Sequence, residues 1–151
     1  MLYLTGPVWV KGNINLSNNS FVRIDASLGN NGTVLLADNP DNPSGSGAIT
    51  ISNNAQILGN NFPNSFPLVI SAKSGSGAIN LSNNTAGAIY YTTSGFIMVS
   101  NNAGASQLTG YGINMSNNST ITYQSGLASA TFSNGPGGSW AKVEGSYIIL
   151  P

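Results

Sequence analysis

The triplet Ser-Asn-Asn occurs five times in this chain, at 17–19, 52–54, 82–84, 100–102 and 116–118, nearly always closing a short alternating apolar segment. A supersecondary unit that recurs along a chain cannot bury its apolar face alone, so its copies must stack, and a solenoid results. Asparagine suits the sharp corner that each coil requires. It tolerates the left-handed backbone region, and stacked Asn side chains hydrogen-bond along the stack.

Three sides make the spacings intelligible. Side a is the segment before the triplet: Ile14-Asn15-Leu16-Ser17, Ile49-Thr50-Ile51-Ser52, Ile79-Asn80-Leu81-Ser82 and Ile113-Asn114-Met115-Ser116. These recur at intervals of 52 − 17 = 35, 82 − 52 = 30 and 116 − 82 = 34 residues, about one coil with its loops. Side b follows each Asn pair, at 21–25, 56–58, 88–91 and 120–123. Side c is read at 8–10, 34–36, 68–70, 97–99 and 130–132, which places the fourth triplet in chain order, 100–102, at the end of side c. The corner between sides a and b is then built from Asn18, Asn19, Asn53, Asn54, Asn83, Asn84, Asn117 and Asn118. Loops rich in Pro, Gly and Ser, such as 38–47 and 101–112, return the chain from c to a.

Period-two alternation sends Ile14/Leu16, Ile49/Ile51, Ile79/Leu81 and Ile113/Met115 inward, and Asn15, Thr50, Asn80 and Asn114 outward. Side c breaks this rule. With Val8/Val10, Val34/Leu36, Leu68/Ile70 and Ile97/Val99 inward, an outward row of Trp9, Leu35, Val69 and Met98 is also apolar. A strand that is apolar on both faces is expected to be covered on both. That row is the candidate interaction face, covered by the chain itself, by another part of a parent protein or by a partner.

Composition narrows the chemistry. Charged residues are 5% of the 151, four basic against four acidic, where a soluble domain averages about 25%. Lys11, Arg23, Lys73 and Lys142 are scattered, so no phosphate-binding patch and no nucleic-acid partner is expected. No apolar run approaches the ~20 residues of a membrane-spanning helix, and the opening Met-Leu-Tyr-Leu-Thr-Gly is not read as a secretion signal. Cysteine and histidine are absent, which removes disulfides, thiolate ligands and the commonest general base. Of the carboxylates Asp25, Asp38, Asp41 and Glu144, only Asp38 and Asp41 are close in sequence, within a turn-rich Ala-Asp-Asn-Pro-Asp-Asn-Pro. No catalytic residue, metal site or cofactor is expected.

The segment Gly6-Pro7-Val8-Trp9-Val10-Lys11-Gly12-Asn13-Ile14, the repeated Ile-x-Leu-Ser-Asn-Asn and the terminal Gly135-Pro136-Gly137-Gly138-Ser139-Trp140 resemble the β-helical C-terminal region of PilX-like type IV pilus assembly proteins of bacteria. That resemblance implies an extracellular or cell-surface location and, in a full-length protein, attachment to a hydrophobic pilin-type helix. The reading is an all-β, right-handed, three-sided parallel β-helix of four to five coils. It forms one domain over 1–151, part of a longer parent protein, with a closing segment from Trp140 to Leu150. Its handedness rests on the general preference of parallel crossovers. The expected role is structural or adhesive, with envelope or pilus subunits, a second copy, or carbohydrate as partner. The alternatives are a self-assembling filament and a β-helix that binds or cleaves polysaccharide.

Overall fold

The computed structural model describes residues 1–132. Within them the chain winds through strands in the repeating order b, c, a. Strands β1 (Leu2–Leu4) and β2 (Val8–Lys11) begin the winding on sides b and c, and β3 (Ile14–Leu16) follows on side a. The next turns are β4 (Phe21–Ile24), β5 (Asn31–Asp38) and β6 (Ile49–Ile51), then β7 (Gln56–Leu58), β8 (Pro67–Ser71) and β9 (Gly75–Leu81). Two tighter turns follow: β10 (Ala86–Gly87), β11 (Ile89–Tyr91) and β12 (Gly95–Val99), then β13 (Gly104–Ala105), β14 (Gln107–Thr109) and β15 (Gly112–Met115), before β16 (Thr120–Ile121). Every strand pairing is parallel. The architecture is a three-sided parallel β-solenoid, as the triplet repeat predicts.

Side a stacks β3-β6-β9-β12-β15 in register. Ile14, Ile49, Ile79, Ile97 and Ile113 form one inward column, and Leu16, Ile51, Leu81, Val99 and Met115 the next. The expected stacking of Ile14, Ile49, Ile79 and Ile113 holds, with Ile97 as a further rung between the last two. The three central isoleucines are fully buried, each contributing roughly 1.5–3 kcal/mol of burial. Val22 and Ile57 fill the core from side b, and Leu35, Val69 and Tyr90 from side c.

Three assignments made from periodicity change. Ile97-Met98-Val99 belongs to side a, where it pairs with Ile79-Asn80-Leu81. Ile89–Tyr91 belongs to side c, on Leu68–Ile70, and Gln107–Thr109 supplies the next c strand. The Asn-to-Asn intervals along the stack are therefore 35, 30, 18 and 16 residues. The coil is compact by nature, and the first two intervals are swollen by the loops at 25–30, 39–48 and 59–66. A constant long period hid the two short coils.

Residues 130–132 are the third change. After β16 the chain leaves the stack and reverses its course. A Cβ on Gly126, whose φ is +92°, would strike Asn64 and Pro63, so the returning segment lies against the loop after β7. It ends as β17 (Thr131–Phe132), parallel to Asn31 and Gly32 at the start of β5. Thr131 Oγ1 donates to Asn31 Oδ1 at 2.9 Å. Strand β17 takes the flank of β5 opposite β8, the flank that β2 occupies further along. The expected closing segment Trp140–Leu150 lies outside the described residues.

Candidate functional site

All five triplets occupy one corner. Their ten asparagines have φ between +50° and +62°. In four of the five, the residue after the pair donates its N–H to the Ser carbonyl: Ser20 to Ser17, Ala55 to Ser52, Ala103 to Ser100 and Ser119 to Ser116, at 3.1–3.3 Å. Two consecutive positive φ values closed by this bond are the signature of a type I′ turn, for which Asn is among the few residues suited. The fourth triplet is thus no exception on side c. Asn101 and Asn102 join the eight corner asparagines named from the sequence.

The corner continues the sheets without a break in backbone pairing. Asn19, Asn54, Asn84 and Asn102 donate N–H to the carbonyls of Asn53, Asn83, Asn101 and Asn117 in the next coil, at 2.9–3.1 Å. Outside them, Asn53, Asn83, Asn101 and Asn117 each donate Nδ2 to Oδ1 of the asparagine one coil earlier, at 3.5, 2.9, 3.1 and 2.9 Å. A second ladder runs from Asn84 to Asn54 to Asn19, at 3.1 Å per step. Small residues, Ser20, Ala55, Thr85, Ala103 and Ser119, turn the chain inside the corner, and the middle three are buried.

Beside this corner, side a faces outward with two polar columns. One is Asn15, Thr50, Asn80, Met98 and Asn114; the other is Ser17, Ser52, Ser82, Ser100 and Ser116. Neighbouring groups are about 4.8 Å apart up a column and about 6.7 Å apart between alternate residues of one strand. The face is a regular grid of amides and hydroxyls with Met98 as its one apolar member.

The predicted interaction face is redistributed. Trp9 is outward and 61% exposed, but it pairs with Leu36, and its column continues through Ile70, Tyr91 and Thr109. Leu35 and Val69 point inward at 6% and 0% exposure, while Met98 is outward at 44% on side a. Side c is apolar on both faces as expected, with Val34, Leu36, Leu68, Ile70 and Tyr91 half-buried on its outer surface. The faces are exchanged because a one-residue slip inverts every side chain, and an evenly apolar strand offers no alternation to fix its phase.

Among the described residues the charged groups are few and dispersed: Lys11 and Asp38 end β2 and β5, Arg23 lies within β4, and Asp25, Asp41 and Lys73 lie outside the strands. Lys11 Nζ meets Asp41 Oδ2 at 2.6 Å, both side chains largely exposed, and Lys11 is register partner of Asp38. Lys73 Nζ donates to the carbonyl of Ser76 at 2.7 Å. Asp25 Oδ1 caps the 3-10 turn Ala26–Leu28 by accepting from Ser27 N at 2.9 Å, and hydrogen bonding from the Ser27 side chain, then from its N–H, holds the carboxyl below the ordinary value. Glu144 lies outside the described residues. Among the described residues no three Asp, Glu, His or Cys side chains gather, and no helix is long and apolar enough to cross a membrane.

Two further residues carry local order. Asn60, buried between loops, donates Nδ2 to the carbonyls of Asp25 and Gly29 at 3.1 and 2.9 Å, and accepts from Phe62 N at Oδ1. It ties the b-to-c corners of two coils together. Tyr90 is fully buried, its hydroxyl has no hydrogen-bond partner among the described residues, and burial pushes the phenol well above its ordinary pKa. Asn60 does not depart from the surrounding Asn-rich pattern, so no sequence signal marked it; Tyr90, read on side b from the sequence, lies on side c opposite Val69 and wholly inside. Comparison with protein-family models, curated proteins and solved structures finds no match to this chain.

Proposed function

We propose that this chain is a non-catalytic structural and adhesive module of a cell surface, a stiff post that lays its side a against a neutral, hydroxyl-rich polymer such as an envelope polysaccharide. The observation that supports this reading most directly is the outward grid of side a. Its columns of Asn, Thr and Ser run beside an unbroken Asn ladder, so the polar groups are held by the backbone winding and not by flexible loops. Groups fixed in advance lose little conformational entropy on binding. Neutral amides and hydroxyls complement sugar hydroxyls without the desolvation cost of charges.

Co-sedimentation with insoluble polysaccharides, peptidoglycan, chitin and cellulose among them, tests the proposal. The unaltered chain is expected to pellet with at least one of them. A Thr50→Leu/Asn80→Leu variant should lose that binding, and a Leu36→Asn variant on the outer c face should keep it. Retention by all of these polymers of the Thr50→Leu/Asn80→Leu variant, or failure of every polymer to retain the unaltered chain, overturns the reading.

A further inference from the structure

Side b changes character along the stack. One outward column runs Phe21, Gln56, Ala86 by strand register. Gly104 N–H then donates to the carbonyl of Thr85, and Gly104 is in turn the register partner of Thr120, so the column continues through Gly104 to Thr120. Large side chains thus give way to Ala86 and Gly104 before size returns. A groove of about 200 Å³ opens over these small residues, lined also by Gly87, Ser106, Thr122 and Gln124. We propose that this groove is a second binding site, one that takes a single ring of a neutral sugar.

Two observations carry the assignment. The first is Ser106. Ala105 belongs to the core, so alternation turns Gly104 and Ser106 toward the outer surface, where Thr122 N–H donating to the Ala105 carbonyl sets Ser106 beside Thr122. Ser106 is nonetheless only 4% exposed, and its hydroxyl makes no hydrogen bond among the described residues. A buried hydroxyl facing a groove without a partner is a standing cost that a ligand hydroxyl would relieve. The second is Gly104. Gly87 has a fold reason to lack a side chain, since its φ is +99° and a Cβ would strike the carbonyl of Ile57. Gly104 has none of that kind. Its φ is not in the left-handed region, and a Cβ would approach only the Thr120 hydroxyl, at 3.2 Å. What glycine does at 104 is leave the floor of the groove open.

The lining selects the ligand class. Three hydroxyls and the Gln124 amide each donate and accept, which is what adjacent sugar hydroxyls need, and no charged residue lines the groove to hold a phosphate or carboxylate. Its volume is below the ~300–1,000 Å³ of pockets for drug-sized ligands, which suits one ring. The site lies across the Asn corner from side a and goes beyond the polymer-binding reading of that side.

Amide NMR of the 15N-labelled chain tests this with glucose, galactose, mannose and N-acetylglucosamine. Each is added as the free sugar and as its methyl glycoside, which stands for a sugar at a chain end and so separates that source from a free monosaccharide. At least one is expected to shift the amides of 86–87, 104–106 and 120–124. Ser106→Ala should weaken that binding about fivefold, the worth of one hydrogen bond, and Gly104→Val, which fills the floor, should abolish it. Ser106→Ala keeps the test decisive if Gly104→Val does not fold. Absence of a shift with every sugar overturns the proposal, as does affinity unchanged in Ser106→Ala. Shifts confined to side a, at Thr50 and Asn80, overturn it as well while leaving the polymer-binding reading standing.

Discussion

Asn101 donates its side-chain amide to Asn83 Oδ1 at 3.1 Å, although only 18 residues separate them where 30 separate Asn83 from Asn53. The corner is thus indifferent to how much chain intervenes between its rungs. What it requires is two consecutive residues in left-handed backbone and a side chain that both donates and accepts. Loops of any length can be added on the other corners without disturbing it, as the first two coils illustrate.

The backbone and ladder roles of Asn83 separate by substitution. Both Gly and Ala remove the bonds to Asn53 and Asn101, but only Ala meets the left-handed penalty, about 1–2 kcal/mol per residue. Urea unfolding should therefore find Asn83→Ala less stable than Asn83→Gly by about that amount. Equal stabilities would show that the turn geometry is not what selects asparagine.

Core rungs should differ in value by position. Ile79 is fully buried between Ile49 and Ile97, whereas Ile113, on the last a strand, is 42% exposed. Ile79→Ala is expected to cost about 2–5 kcal/mol, and Ile113→Ala less than half of that. Thermal unfolding of the two variants side by side checks the ordering.

Asn60→Ala removes donors to two loop carbonyls and an acceptor for Phe62 N at once. Stranding buried backbone groups costs about 1–3 kcal/mol each when they find no other partner. A loss of about 2–3 kcal/mol is expected. Hydrogen exchange should place the effect at residues 25–30 and 60–66 before the sheets.

Tyr90 gives a pH signature. Its phenol is raised by burial, while in the unfolded chain it titrates near the ordinary value of about 10. Below that pH both states keep the proton and the stabilising contribution is complete. Above it the unfolded state gives up the proton and the folded state does not, so stability falls by up to about 1.4 kcal/mol per pH unit from this group. Denaturation followed from pH 8 upward should show this slope reduced in Tyr90→Phe. The same variant, relieved of a buried hydroxyl without a partner among the described residues, should be about 1 kcal/mol more stable at neutral pH; a loss of stability there would mean that the hydroxyl is satisfied.

The solenoid, the isoleucine column and the Asn corner were legible in the sequence because each depends on short-range information. The Ser-Asn-Asn triplet encodes a turn that needs no neighbour to be recognised, and the alternation in Ile49-Thr50-Ile51 fixes which face is buried. Side c carried no such alternation: Leu35, Leu36, Val69 and Ile70 are interchangeable by hydrophobicity, and only pairing of Trp9 with Leu36 and of Leu36 with Ile70 sets their phase. The number of residues per coil was likewise decided by stacking, since the loops that lengthen the first coils have no periodic signature. The same holds for the reversal that brings Thr131 to Asn31 across 100 residues, and for Asn60, one asparagine among many until two loops close around it. Local turn chemistry and side-chain alternation act through neighbours in the chain; register on an evenly apolar strand and contacts between distant loops exist only once the coils are stacked.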